Sequence, residues 1–286
     1  QTSGIRCGEG SYLTIDDSVR NVDKNGEPVL PKNGRVSRDA VLQNGMEVHE
    51  GDRLTILDSE NPGTLEVYGG SRGAAIGGSS FENGGNMTFN GGNIKAIAFN
   101  TGHVNNTTGA GIGGGHGSGG TQTTINGGNI YANGSYHGAG IGGGCTSGYG
   151  PDAFNSFTFS DTKMREDLNS YYEPNAGNIT INGGYIKAEG HEHGNAFGTG
   201  CYISSTMKGS TILITGGTLL PTSQSGQYDI GGKDGDVIIT GGSVRVATPA
   251  KFQSKDGNAY GDMEKTQPVI MTTINLESFG LKEALV

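Results

Sequence analysis

One two-part unit recurs along the chain. Gly109-Ala110-Gly111-Ile112-Gly113-Gly114-Gly115 is followed by Thr123-Thr124-Ile125-Asn126-Gly127-Gly128-Asn129-Ile130-Tyr131-Ala132. The same unit returns at 138–144 with 178–188, and upstream at 73–78 with 86–96. Degraded copies follow at 194–200 with 211–219 and at 227–232 with 236–246, and a worn one opens the chain at 3–8 with 12–15. Ile76, Ile112, Ile141, Phe197 and Ile230 therefore recur at intervals of 36, 29, 56 and 33 residues. A fixed period of this length is the signature of a repeat architecture, in which one supersecondary unit buries its apolar side only against its neighbours.

Each copy holds three short segments of alternating character, centred on Ile112, Ile125 and Ile130 where the spacing is cleanest. Alternation of period two places side chains on opposite faces of a strand. The Gly-Gly that follows Thr-Ile-Asn stands where the chain must turn sharply, and glycine accepts positive φ without steric cost. The shortest interval suits one three-sided coil, and the longer ones add loops. The expected fold is all-β: a right-handed parallel β-helix in which coils stack at about 4.8 Å, the hand following from the usual chirality of parallel crossovers. Matching letters in successive copies then become vertical neighbours. An immunoglobulin-like or propeller array is disfavoured, since its units need antiparallel strands and aromatic signatures that these copies lack.

Composition agrees. The chain carries 55 glycines in 286 residues, no tryptophan and only 8 prolines. Glycine runs through it without the Gly-X-Y period of collagen. It recurs at fixed distances from Ile, Val and Thr, unlike a flexible linker. Long helices are excluded, because each interior glycine costs a helix about 1 kcal/mol. Nineteen Lys and Arg against 28 Asp and Glu leave a net charge of −9. With no basic patch to neutralise phosphates, nucleic acid is excluded as a partner. No apolar run approaches the 18 or so residues that span a bilayer, so no membrane span is expected.

The whole chain, 1–286, reads as a single domain with two insertions, at about 17–63 and 149–176, and a capping tail at 248–286. The first insertion ends in two strand-like stretches, 46–49 and 54–57, expected to pair. The second carries Tyr149, Phe154, Phe157, Phe159, Tyr171 and Tyr172 together with five carboxylates. The tail contains one more strand, 269–276. Because the chain opens within a repeat, it reads as a piece of a longer protein with further domains.

The pairing of the glycine block with Thr-Ile-Asn-Gly-Gly and an Ile-x-Ala strand, over residues 64–247, resembles repeats in large secreted or wall-attached proteins of Gram-positive gut bacteria. That resemblance implies an extracellular setting, secreted or attached to the cell wall, and a glycan or glycoconjugate as partner. One enzyme group on such a scaffold, the β-helix lacto-N-biosidase family, hydrolyses glycans with a pair of aspartates, and this chain carries no complete signature of that active site.

Asp229 is the sharpest anomaly in the repeat. Its column reads Gly111 and Gly140 in the cleanest copies and Ala75 and Ala196 elsewhere, so a carboxylate replaces a very small residue. Asp236 follows beyond one turn, with Lys233 and Asp234 between them. Glycosidases need two carboxyl groups about 5–5.5 Å apart for retention or roughly 6.5–9.5 Å for inversion. Asp229 and Asp236 are therefore the expected catalytic pair. Lys233, Asp234, Tyr149, Tyr171, Tyr172 and His193 are the expected substrate-binding residues, with Lys233 holding one acid ionised. Asp234-Gly235-Asp236 also reads as a plain polar turn with Asp229 a surface residue, and the insertion aromatics as a cover for the apolar wall.

No cofactor is expected. The stretch 231–238 nearly matches a calcium-binding nonapeptide, but in one copy where that architecture needs several. His137 and His193 hold equivalent places in adjacent copies, and His116 shares a column with Cys145 and Cys201. With His191-Glu192-His193 these invite a zinc reading, yet the spacing fits no standard motif. Cys145 and Cys201 fall within reach of a disulfide or stack as thiols. Outward Thr88, Thr124 and Thr180 form a column that ends at Leu213 and Ile239, too short for an ice-binding face. A polysaccharide lyase built around Lys233 is a weaker alternative. The expected function is thus an extracellular glycan-active protein, a glycoside hydrolase using paired aspartates, or else a non-catalytic adhesin, carbohydrate-binding or spacer module.

Overall fold

The computed structural model describes residues 2–19, 23–27, 29, 31–32, 35–36, 38–42, 45–52, 57–58, 62–99, 108–145, 176–191, 193–200, 210–224, 228–232, 235–246 and 252–253. These residues form strands, turns and no helix. The chain visits three sheets in strict rotation. Its first circuit is β1 (Ile5–Arg6), β2 (Tyr12–Ile15) and, after an insertion containing β3 (Ser18–Val19), β4 (Pro31–Lys32), β5 (Arg35–Val36), β6 (Ala40–Val41), β7 (Glu47–Val48) and β8 (Leu57–Asp58), the strand β9 (Thr64–Tyr68). The second is β10 (Ile76–Gly77), β11 (Asn86–Phe89) and β12 (Asn93–Ile97); the third is β13 (Ile112–Gly113), β14 (Gln122–Ile125) and β15 (Asn129–Asn133). The fourth is β16 (Ile141–Gly142), β17 (Asn178–Ile181) and β18 (Tyr185–Glu189), and the fifth is β19 (Phe197–Gly198), β20 (Thr211–Ile214) and β21 (Thr218–Thr222). A sixth, β22 (Ile230–Gly231), β23 (Asp236–Ile239) and β24 (Ser243–Val244), is followed by β25 (Phe252–Gln253), which opens a seventh.

Every pairing between circuits is parallel, and the order in each sheet follows the order of circuits. The first face stacks β1-β10-β13-β16-β19-β22-β25, the second β2-β11-β14-β17-β20-β23, and the third β9-β12-β15-β18-β21-β24. Ile112 pairs with Ile141, so letters that match between copies are vertical neighbours. The parallel, all-β architecture expected from the repeat is the one observed.

One side chain in two faces inward. On the first face Ile76, Ile112, Ile141, Phe197 and Ile230 are fully buried. Phe89, Ile125, Ile181 and Ile214 do the same on the second, and Ile94, Ile130, Ile186 and Leu219 on the third. Each such side chain contributes about 1.5–3 kcal/mol, and they form one continuous core. The repeat is legible because each circuit must present the same shape to the next.

The glycines that follow the first-face residues are required twice over. Gly113 and Gly142 both sit at φ 136°, and a Cβ on Gly113 would lie 1.9 Å from the Gly142 carbonyl oxygen. The corner between the second and third faces is tied by an amide ladder. Asn126 Nδ2 donates to Asn90 Oδ1 at 2.9 Å, Asn182 Nδ2 to Asn126 Oδ1 at 2.8 Å, and Thr215 Oγ1 to Asn182 Oδ1 at 2.7 Å. These half-buried amides satisfy one another from circuit to circuit.

The first insertion has antiparallel pairing and a small core of its own, Val29, Val36, Leu42 and Val48. Of the two stretches expected to pair, 54–56 lie outside the described residues. Glu47–Val48 pairs with Ala40–Val41, and Leu57–Asp58 returns to Ser18–Val19 at the mouth of the insertion. Closure across its base leaves the wall of the stack continuous. The threonine column starts one circuit earlier than expected, at Thr14, and passes through Leu213 to Ile238. Ile239, named above as its end, belongs to the neighbouring inward column with Ile214. The aromatic insertion and the strand at 269–276 lie outside the described residues.

Candidate functional site

Asp229 lies where the column argument places it. Phe197 pairs with Ile230, which sets Ala196 beside Asp229, and the Phe197 N–H donates to the Asp229 carbonyl at 3.0 Å. The side chain is 1% exposed, and Oδ1 accepts the Ser223 N–H at 2.8 Å. Ser223 Oγ donates to the Tyr228 carbonyl at 2.6 Å and accepts the Ala196 N–H at 2.9 Å. The carboxylate thus ties the corner between the third and first faces. Added Cβ atoms on Gly111 and Gly140 would press on the backbones of Asn133 and Glu189, yet Ala75 and Ala196 carry a Cβ beside third-face strands of the same five-residue length, so the length of that strand does not decide what the column holds.

Asp236 stands at the other end of that turn. It opens β23 on the second face, half-buried, opposite Thr211. The Asp229 carboxylate is turned back to the corner before β22, and Asp236 lies beyond the corner after it. Lys233, Asp234, Tyr149, Tyr171 and Tyr172 fall outside the described residues.

His193 is half-buried and stacks flat on His137, with centroids 4.7 Å apart and planes 9° apart. Tyr136 meets both rings edge-on, at 4.6 Å and 5.8 Å. His137 is 1% exposed, and neither of its ring nitrogens has a hydrogen-bond partner. Burial, then the neighbouring His193, lowers its pKa to about 4. Burial, then Arg72, does the same to His116, whose Nδ1 is 2.8 Å from Thr108 Oγ1. Both imidazoles are neutral at pH 7. Stacked rings do not converge their nitrogens on one point, and among the described residues no three His, Cys, Asp or Glu side chains are placed to hold a metal ion. Cys145 is disulfide-bonded, Cys7 is a buried free thiol, and Cys201 lies outside the described residues.

A denser constellation stands on the outward side of the third face, in the third and fourth circuits. Tyr131 pairs with Lys187 and Asn133 with Glu189. Glu189 Oε2 accepts from Tyr131 Oη at 2.5 Å and Asn133 Nδ2 at 2.7 Å, and Oε1 lies 2.7 Å from Lys187 Nζ. Asn133 Nδ2 also donates to Tyr131 Oη at 2.9 Å. With the amide nitrogen so engaged, Oδ1 accepts from His191 Nε2 at 2.9 Å, an assignment made from the network. The Lys187 ammonium stands 5.1 Å from the Tyr131 ring centroid. Below it a second group repeats the theme. Tyr68 Oη donates to Glu66 at 2.9 Å, and Lys95 Nζ lies 3.4 Å from that hydroxyl and 3.6 Å from Glu66.

Burial raises the Glu189 carboxyl pKa, but Lys187, Tyr131 and Asn133 together pull it below its ordinary value. Burial and then Glu189 push the Tyr131 hydroxyl up, and burial lowers His191. At neutral pH the site therefore offers an ionised carboxylate, an intact phenol, a neutral imidazole and an ammonium. Glu66 is three circuits from Glu189, about 14 Å at the spacing of paired strands, beyond either separation used by paired-carboxylate hydrolysis. The arrangement is equipped for binding polar ligands. Sequence reasoning passed over these residues although the alignment of Ile130 with Ile186 already set Tyr131 beside Lys187 and Asn133 beside Glu189.

Matched against protein-family models, curated proteins and solved structures, the chain finds no match in any of the three. No helix of the described residues is long and apolar enough to cross a membrane.

Proposed function

We propose that the chain is a right-handed parallel β-helix from an extracellular bacterial protein, and that it binds glycan on its third face without cleaving it. Strict rotation through three parallel sheets supports the helix, and the hand follows from the chirality of parallel crossovers. The disulfide at Cys145 supports an oxidising compartment. A stiff solenoid presenting a flat, outward polar wall is suited to an extended ligand. The observation that carries the reading is the Tyr131–Asn133–Lys187–Glu189 cluster. It sets an aromatic ring beside a carboxylate, an amide and an ammonium, the groups that contact the apolar face and the hydroxyls of a sugar ring. Tyr185, 42% exposed on the same strand as Lys187, and Tyr68, 58% exposed, add aromatic surface to that wall. The buried, hydrogen-bonded state of Asp229 favours this reading over hydrolysis by Asp229 and Asp236.

A glycan array followed by titration calorimetry tests it. Wild-type protein is expected to bind a saccharide with no release of reducing ends. Glu189→Gln and Tyr131→Phe should each weaken binding about tenfold, as for loss of a charge-assisted hydrogen bond. Hydrolysis of the bound glycan that vanishes in Asp229→Asn would replace this reading with the glycosidase one.

A further inference from the structure

The outward column through the middle of the third face runs Glu66, Lys95, Tyr131, Lys187, Leu220. It continues to Arg245, which follows Val244 and whose N–H donates to the Leu219 carbonyl at 3.0 Å. From the second circuit upward, cations occupy every second position, with Tyr131 and Leu220 between them. At the spacing of paired strands, Lys95, Lys187 and Arg245 stand about 9.6 Å apart in succession. Lys95 and Lys187 keep 40% and 47% of their side chains exposed. Arg245 is exposed and has no ion-pair partner among the described residues. Among the described outward residues of this face, three cations stand against two carboxylates, Glu66 and Glu189, although the whole chain carries a net charge of −9. The described outward residues of the third face thus carry one net positive charge in an acidic chain, with Lys95 and Lys187 paired to Glu66 and Glu189.

We infer that the glycan held here is an anionic polysaccharide with one carboxylate or sulfate on every second sugar, lying along the axis of the stack. This rests on the glycan-binding reading above. Two rings of an extended pyranose chain advance by about the distance between successive cations, so the acid groups fall in step with Lys95, Lys187 and Arg245. The intervening sugars lie at half-buried Leu220 and at Tyr131, whose ring they share with the Lys187 ammonium, where an aliphatic or aromatic surface suits their apolar faces. Glu189, in the adjacent column, anchors the Lys187 ammonium 5.1 Å from the Tyr131 ring centroid, and Glu66 closes the row at its first circuit. A repeating ligand gains from a repeating wall because each further disaccharide meets the same groups without a new ordering cost for the protein.

The test is titration calorimetry of the full chain with three probes of similar length. They are a hexasaccharide alternating glucuronate with N-acetylhexosamine, a neutral hexasaccharide of N-acetylhexosamine, and a short polyglutamate peptide. The alternating acid is expected to bind at least tenfold more tightly than either of the others, and to weaken as salt rises, since exposed charges are screened. The triple variant Lys95→Gln, Lys187→Gln, Arg245→Gln should lose that advantage while keeping its unfolding temperature, and Lys24→Gln should keep it. Equal binding of the acidic and neutral sugars overturns the inference and leaves glycan binding standing. Equal binding of polyglutamate overturns it as well, by showing an undiscriminating cationic strip. Binding of neither sugar overturns this inference and the proposed function together.

Discussion

His137 lies flat against His193, one circuit above it, with ring centroids 4.7 Å apart and neither of its own nitrogens hydrogen-bonded. The pair shows how this fold treats a polar residue that recurs in one column: His137 is stacked on its half-buried copy and closed off from water. Burial keeps the His137 ring neutral in this stack.

That neutrality sets a pH dependence. His116 and His137 titrate near 4 in the folded chain, against 6.5 for an unperturbed imidazole. Their folded pKa is depressed, so the unfolded chain binds more protons between those values. Their contribution is complete above pH 6.5 and is lost as pH falls toward 4. The thermal unfolding midpoint should hold steady from pH 8 to 6.5 and then decline. His137→Phe, which keeps a flat ring against His193, should reduce the decline. A wild-type midpoint constant down to pH 4 would contradict this account.

Two glycines with positive φ should respond differently to alanine. At Gly113 the new Cβ would meet the Gly142 carbonyl oxygen at 1.9 Å, with φ at 136°, so Gly113→Ala should cost about 3 kcal/mol or more. At Gly10, where φ is 77° and nothing lies within 4 Å of an added Cβ, the cost should stay near 1–2 kcal/mol. Chemical denaturation of both variants measures the difference.

The amide ladder predicts a rescue. Asn126→Ala removes the bond to Asn90 and orphans the Asn182 amide, a loss of about 1–2 kcal/mol. Asn126→Thr should recover part of it, because Thr215 already caps Asn182 through its hydroxyl in the fifth circuit. Denaturant midpoints for the two variants should differ in that order.

Asp229→Ala restores the residue that Ala75 and Ala196 place in the same column, but leaves the Ser223 N–H without its acceptor. Stability should fall by about 1–3 kcal/mol, while glycan affinity stays within about twofold because the third-face cluster is untouched. A large loss of glycan affinity in a folded variant would show that Asp229 takes part in binding.

Much of the architecture was legible in the sequence. Ile112 above Ile141, the glycine after each, and Asp229 over Ala196 all followed from aligning copies, since a stack requires equivalent residues to meet. The one-residue error at Ile238 and Ile239 came from a degraded copy where two isoleucines stand side by side; aligning Gly241-Gly242 on Gly183-Gly184 already sets Ile238 in the column of Thr180, as the backbone pairing does. The candidate site was harder to see. Tyr131 and Lys187 are unlike one another, and outward positions carry no demand for repetition, so a search for recurring letters passed over them.

The sequence by itself determined the period, the three strands per circuit and the inward columns, because close packing between identical circuits admits few residue types. Only the tertiary structure decided where the exceptions point. Asp229 turns into a corner where the Ser223 N–H offers a donor. Glu189 becomes an ionised acceptor because Lys187, Tyr131 and Asn133, from its own strand and the neighbouring one, converge on it. Direction and partnership of a side chain depend on neighbours a whole circuit away, and one-dimensional spacing does not carry them.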